Sequence, residues 1–208
     1  MIYFLLFIFL TGLGLYFLNL FLREIQPDAL ELEEDKKNLK AEIEIFEGGL
    51  VSIENYLSLD DLDFAIDKDG NRRGKGVFQD ISGAPMLAFS FKKYKGNIPR
   101  KLVYIKTNEG NFFLYSNARG TEVMVENKKI GIIRKDSSYF GIKNNLLFES
   151  NQKENNRIEI IDSVARKYME VKNKTDVASS NAVEILEKNQ EALLLGIHLI
   201  LRQEIDRI

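Results

Sequence analysis

Near the C-terminus the chain reads ALLLGIHLIL, residues 192–201, with Gln190 and Glu191 before it and Arg202, Gln203 and Glu204 after it. His198 is its one polar side chain. A bilayer crossing takes about 20 apolar residues, twice this length. A surface helix keeps one polar face, and this run has none. A helix apolar on every side has to be enclosed on every side, and in a small β-rich chain a closed barrel provides the enclosure. Burying Leu193, Leu194, Leu195, Ile197, Leu199 and Ile200, at about 1.5–3 kcal/mol each, yields on the order of 10 kcal/mol. That equals the net stability of a typical domain. Gly196 would let strand side chains come close, against a propensity cost of about 1 kcal/mol. One helix is expected over residues 182–208, after a loop at 176–181. In this setting His198 is expected to be a core histidine bonded to a strand carbonyl, with a pH-sensing or ligand role as the alternative.

Upstream, from Pro85 to about Val171, the apolar period changes to two. PMLAFSF, KLVYIKT, NFFLYSN, TEVMVE, KIGIIRK, SYFGI, NLLFES, RIEIID and VARKYMEV are short runs rich in Val, Ile, Phe and Tyr. Turn residues such as Asn108-Glu109-Gly110, Ala118-Arg119-Gly120 and Asn144-Asn145 separate them. Such spacing describes an antiparallel meander closing into a barrel. A parallel α/β fold is disfavoured because no helix fits between the runs. Residues 50–84 read two ways. Ser58-Leu-Asp-Asp61 resembles a capping box and predicts a one- or two-turn helix through Ile66, while strands are the other reading. DKDGN, residues 67–71, is expected to be a turn, because position 78, where a calcium loop needs a bidentate Glu, is Phe.

At the other end, residues 2–22 contain no charged side chain, and only Thr11 and Asn19 are polar. As a helix they would span roughly 30 Å, the thickness of a bilayer core. A cleaved signal peptide would need a basic leader and a small-residue cleavage site, and both are missing. The sequence therefore predicts a single transmembrane anchor. Basic Arg23, Lys36, Lys37 and Lys40 follow it, which favours a cytoplasmic main domain. Residues 23–47 carry 4 basic and 9 acidic groups and predict a charged helix beginning near Pro27 and Asp28. Leu32, Leu39, Ile43 and Phe46 form a narrow apolar seam along it, fit either for a solvated spacer or for self-association through residues 28–46. The expected organisation is an anchor at 2–22, a helical spacer at 23–47 and a barrel domain at 48–208.

The 208 residues include no cysteine and one histidine. That excludes disulfides, thiolate nucleophiles and multi-histidine metal sites. No phosphate-cradling, nucleophile-elbow or zinc-protease motif is present, so no cofactor and no catalysis are expected. Asp60, Asp61 and Asp63 could serve a carboxylate enzyme, though capping a helix is their simpler role. No RNA-binding signature surrounds Phe112, Phe113 and Tyr115, and nucleic acid is not an expected partner. Net charge is −2, yet residues 84–149 hold 12 basic against 5 acidic groups. Arg72, Arg73 and Lys75 form one basic group. Lys92, Lys93, Lys95, Arg100 and Lys101 form a second, and Lys128, Lys129, Arg134 and Lys135 a third. Beside an anionic leaflet each cation contributes about 1 kcal/mol, so the second and third groups are candidate sites for anionic lipid. The simpler alternative is that lysines at turns blunt sheet edges.

Nine short strands followed by a hydrophobic helix resemble the tubby-like C-terminal fold of LURP-one-related proteins and phospholipid scramblases. The matching segments are VMVENKKIGIIRKD (residues 123–136) and EALLLGIHLILRQEID (residues 191–206). The resemblance covers about residues 85–206 and implies a twelve-stranded barrel around the C-terminal helix. It also implies a lipid-facing role, because that superfamily includes phosphoinositide binders. Since nine strands are evident, three more would have to come from residues 50–84. The functional expectation is a membrane-anchored, non-enzymatic module binding anionic lipid or a membrane-proximal ligand. A structural subunit of a membrane or envelope complex is the competing reading.

Overall fold

The computed structural model describes residues 2–25, 29–44, 49–68, 70–96, 100–153, 157–172 and 181–207. Two helices come first, α1 (Ile2–Ile25) and α2 (Ala29–Glu44). Twelve strands follow: β1 (Tyr56–Ile66), β2 (Arg72–Gln79), β3 (Pro85–Tyr94), β4 (Arg100–Thr107), β5 (Asn111–Asn117) and β6 (Gly120–Val125), then β7 (Lys128–Ile133), β8 (Ser138–Gly141), β9 (Leu146–Gln152), β10 (Arg157–Asp162), β11 (Lys167–Lys172) and β12 (Ala182–Ile185). Helix α3 (Gln190–Arg207) ends the chain. Each strand pairs antiparallel with its sequence neighbours, and β1 closes on β12 through Tyr56–Glu184, Leu57–Val183 and Ser58–Ala182.

The closed sheet surrounds α3. One continuous core joins Leu194, Leu195, Ile197 and Ile200 to inward residues of all twelve strands, among them Leu57, Phe78, Phe89, Ile105, Leu114, Val123, Ile133, Tyr139, Phe148, Ile160, Val171 and Val183. Every residue from 192 to 201 is buried except Leu193, which is half-buried. The enclosed helix expected from ALLLGIHLIL is thus present. Gly196 does what its position suggested: a Cβ there would stand 3.3 Å from Ile160 Cδ1 and 3.6 Å from Val183 Cγ1. Two strand glycines make room in the same way. A Cβ on Gly74 or Gly76 would lie within 2.8 Å of the Phe91 or the Phe89 ring.

Strands β3 to β11 coincide with the nine runs read from the sequence, but the other three arise differently. Residues 50–84 supply two strands, β1 and β2, and no helix at Ser58. The Ser58 hydroxyl reaches across to the Gln79 carbonyl at 3.4 Å instead of capping its own amides. Leu57 and Leu59 point into the core, and a bulge between Leu59 and Leu62 re-aims the rest of β1. The third strand, β12, occupies Ala182–Ile185, so the final helix starts at Gln190 and not at residue 182. Asp67–Asn71 is the expected turn, with Asn71 N–H bonded to Asp67 Oδ1 at 2.8 Å and Gly70 at φ 76°.

A second core lies outside the barrel. Leu39 and Ile43 of α2 pack on Ala88, Tyr94, Leu102, Tyr104, Phe113 and Met124, the outward residues of β3–β6. These strands therefore have both faces covered, and KLVYIKT reads as almost continuously apolar for that reason. Leu39 and Ile43 of the α2 seam are thus covered within the chain, with Leu32 partly buried against the same cluster. Phe46, Pro27 and Asp28 lie outside the described residues. Among the described residues no helix is long and apolar enough to cross a membrane. The anchor expected at 2–22 therefore rests on the sequence and is taken up again below.

Candidate anion site at one end of the barrel

One barrel end gathers the finish of β3, β5 and β7, the start of β4 and β6, and the last turns of α3. Three contacts fix that arrangement. Lys93 Nζ bonds the Ile205 carbonyl at 3.3 Å, Lys101 Nζ bonds Asp206 Oδ1 at 2.8 Å, and Arg202 Nη1 reaches the Lys135 carbonyl at 3.4 Å. Between them opens a cleft of about 170 Å³ lined in part by Lys101, Ser116, Thr121, Arg134, Lys135, His198, Arg202 and Asp206.

The cleft is electropositive. Among the described lining residues, four basic side chains, Lys101, Arg134, Lys135 and Arg202, face one carboxylate, Asp206. Burial, with repulsion from Arg202 and Lys93, holds the Lys101 ammonium below its usual range even though Asp206 pulls the other way. His198 is buried, and desolvation with repulsion from Lys101 and Arg202 pushes its imidazole down to about 3. It is neutral at physiological pH. It is buried as expected of a core histidine, and among the described residues no hydrogen bond joins its ring to a strand carbonyl.

The nine basic residues singled out in the sequence do not share one face. Alternation along β3 separates Lys92 from Lys93. Lys92 turns outward beneath α2, where Asp35 holds it at 2.7 and 2.9 Å. Lys93 turns inward to the end of α3. Arg100 is buried beside Tyr115, whose hydroxyl it contacts, and Lys101 is buried on Asp206. Lys95 is exposed at the same barrel end. Arg134 lies over the Phe140 ring at 3.7 Å and bonds Asn144. Lys128 and Lys129 start β7 at the far end, where Lys129 pairs with Glu122 at 2.8 Å. The cleft thus unites Lys101, Arg134 and Lys135 of the nine and adds His198 and Arg202. The sequence grouped Arg202 with no basic cluster because 67 residues separate it from Lys135, the last member of the third group. Of the earlier group, Arg73 joins Asp35 at 3.2 Å, while Asp60, Asp61 and Asp63 lie in strand β1 and cap no helix.

Another buried cluster holds α2 in place. Asp35 receives Lys92, the Tyr94 hydroxyl at 2.8 Å and Arg73, and Glu31 stands 3.6 Å from Lys92. Burial and the adjoining Asp35 push the Tyr94 hydroxyl far above its usual value, so it stays a donor. Within it the Arg73 Nε is buried without a hydrogen-bond partner, 3.6 Å from Asp67 Oδ2. A larger groove of about 300 Å³ runs along α2, lined by Lys36, Lys37, Lys40 and Phe113. Glu33 and Glu126 also line it, and Lys36 is already bonded to Glu33 at 2.7 Å. Among the described residues no cluster of three or more acidic or histidine side chains is placed to hold a metal.

Comparison with protein-family models, curated proteins and solved structures finds no match to this chain.

Proposed function

We propose that this protein is a single-pass, membrane-tethered and non-enzymatic barrel module whose basic end faces an anionic leaflet. One geometric relation carries the reading. Glu31 lies beside Lys92, the Leu39 carbonyl accepts from Ser90 at 2.7 Å, and Val51 N–H donates to Pro85. Helix α2 therefore runs antiparallel to β3, and its first turn sits at the same barrel end as the cleft. The chain arriving from residues 2–22 reaches the barrel at its basic end. A tether joined there keeps Lys95, Arg134, Lys135 and Arg202 near headgroups, where each cation contributes about 1 kcal/mol. The side chains of Phe4, Phe7, Ile8, Phe9 and Leu10 are more than half exposed, which supports burial of that helix in lipid. Twelve strands around one C-terminal helix support the tubby-like kinship, which is part of the same proposal, as is a cytoplasmic location for the barrel.

The test uses the absence of cysteine, which allows clean labelling of single-cysteine variants. Spin labels at Lys135→Cys and Lys188→Cys are read in nanodiscs of anionic or neutral lipid. The label at 135 should lie at headgroup depth in anionic discs, and the label at 188 should stay in water. Equal depths would remove the orientation. Release of the full chain from membranes by alkaline carbonate would remove the anchor itself.

A further inference from the structure

The cleft has features that a merely basic surface does not need. Its positive charge is partly buried: Lys101 is 8% exposed. Among the described residues that line it, Asp206 alone opposes the four basic side chains, and its own side chain is nearly half exposed. Two hydroxyls, Ser116 and Thr121, sit 2.8 Å apart in the wall. One hydrogen is shared between them, which leaves the second hydroxyl hydrogen free to donate. The volume of about 170 Å³ equals that of roughly five or six waters. It has room for a single tetrahedral group.

We propose that this cleft binds one small dianionic oxyanion of the phosphate-monoester class between Lys101, Arg202 and the β7–β8 turn, with His198 taking up a proton as the anion enters. The coupling follows from what faces the ring. Lys101 comes from β4 with Lys93 behind it on β3, Arg134 and Lys135 come from the turn after β7, and Arg202 and Asp206 come from α3 itself. Burial, together with repulsion from Lys101 and Arg202, keeps the imidazole unprotonated while the cleft is empty of anion. A dianion reverses the local sign and allows the ring to charge. Asp206 then releases Lys101 to the ligand. Binding in the cleft does not depend on the tether, and it goes beyond the reading above. The membrane bears only on whether the phosphate arrives on a lipid.

A single histidine gives a single imidazole Cε1–H signal, so the full chain in non-ionic detergent micelles reports on the site by NMR. Sulfate is the probe because it remains a dianion across the pH range, with sodium chloride holding ionic strength constant. Saturable movement of the His198 signal is expected with sulfate and not with chloride. Affinity should rise about tenfold from pH 7.5 to 5.5, the factor that applies if the anion restores the ordinary histidine value near 6.5. Arg202→Gln and Arg134→Gln, both exposed changes, should each weaken binding roughly tenfold, with urea midpoints confirming that the variants fold. A signal that chloride moves equally, a pH-independent affinity or full binding by Arg202→Gln would overturn the proposal. Nanodiscs then identify the source. A response to phosphatidic acid and not to phosphatidylglycerol assigns a headgroup monoester. A response only to free phosphate beside neutral discs assigns a soluble ligand, and no response to either sinks the proposal. Carbonate extraction reads the tether separately, so the two ideas fail by different measurements.

Discussion

Two helices cover the two faces of the same sheet, and they differ in nearly every respect. Helix α3, on the inside, is surrounded by twelve strands and carries apolar side chains in all directions between residues 192 and 201. Helix α2, on the outside, touches the sheet along one seam and presents Glu33, Glu34, Lys37 and Lys40 to solvent. The angle over which a helix is enclosed dictates how much of its circumference can be apolar. Their ionisable groups differ in the same sense. Asp35 of α2 is buried with Lys92, Arg73 and the Tyr94 hydroxyl around it. His198 of α3 is buried and neutral because desolvation, with repulsion from Lys101 and Arg202, disfavours its charged form. A buried ionisable group keeps its charge only when opposite charge is supplied.

The contrast can be broken by substitution. The largest effect is expected from removing the main partner of a buried charge: Asp35→Ala leaves Lys92 with the half-exposed Glu31 at 3.6 Å and should cost about 3–5 kcal/mol in urea unfolding. Replacing both partners, Asp35→Leu with Lys92→Met, should return most of that loss. A double variant no more stable than the single would show that the pair acts through hydrogen bonding to Tyr94 and Arg73. Inside the barrel, Leu195→Ala opens a cavity in a wholly buried site and should cost about 2–5 kcal/mol. Leu32→Ala, on the half-buried edge of the α2 seam, should cost less than Leu195→Ala. An equal cost would erase the distinction between the two helices.

Acid offers a smaller and more specific probe. Folded His198 accepts its proton only near 3, while the unfolded chain accepts it near the ordinary value of about 6.5. Between those values the unfolded state binds more protons, so stability falls as pH is lowered through that window. His198→Gln should flatten this part of the pH profile in chemical denaturation, and an unchanged slope would mean that the ring is not held neutral. The smallest effect is expected at the far end of the barrel. Lys128→Ala, at the exposed start of β7, should alter stability by less than about 0.5 kcal/mol and leave sulfate binding intact.

Legibility followed how local the deciding contacts were. Strands β3 to β11 were readable because each alternates or is bounded by turn residues within its own segment. Ser58–Ile66 misled because Ser-x-x-Asp is a helix start in isolation, while here Ser58 bonds to Gln79 on the next strand. Ala182–Ile185 has only four residues, and its strand identity comes from β1 and β11 on either side. Of the site, the basic residues were visible but their grouping was not. Lys92 and Lys93 are adjacent in sequence and lie on opposite faces of the barrel wall, whereas Lys101 and Arg202 are far apart and line one cleft.

Composition alone dictated that residues 192–201 be enclosed and that the repeating runs make an antiparallel sheet, because burial of apolar area acts on each segment whatever its neighbours are. It also excluded thiol and multi-histidine chemistry outright. Which strand closes the barrel, which lysines are neutralised and which remain to meet an anion depended on the folded arrangement. Electrostatic partners are set by distance in space, and distance in space between remote residues exists only once the barrel has closed.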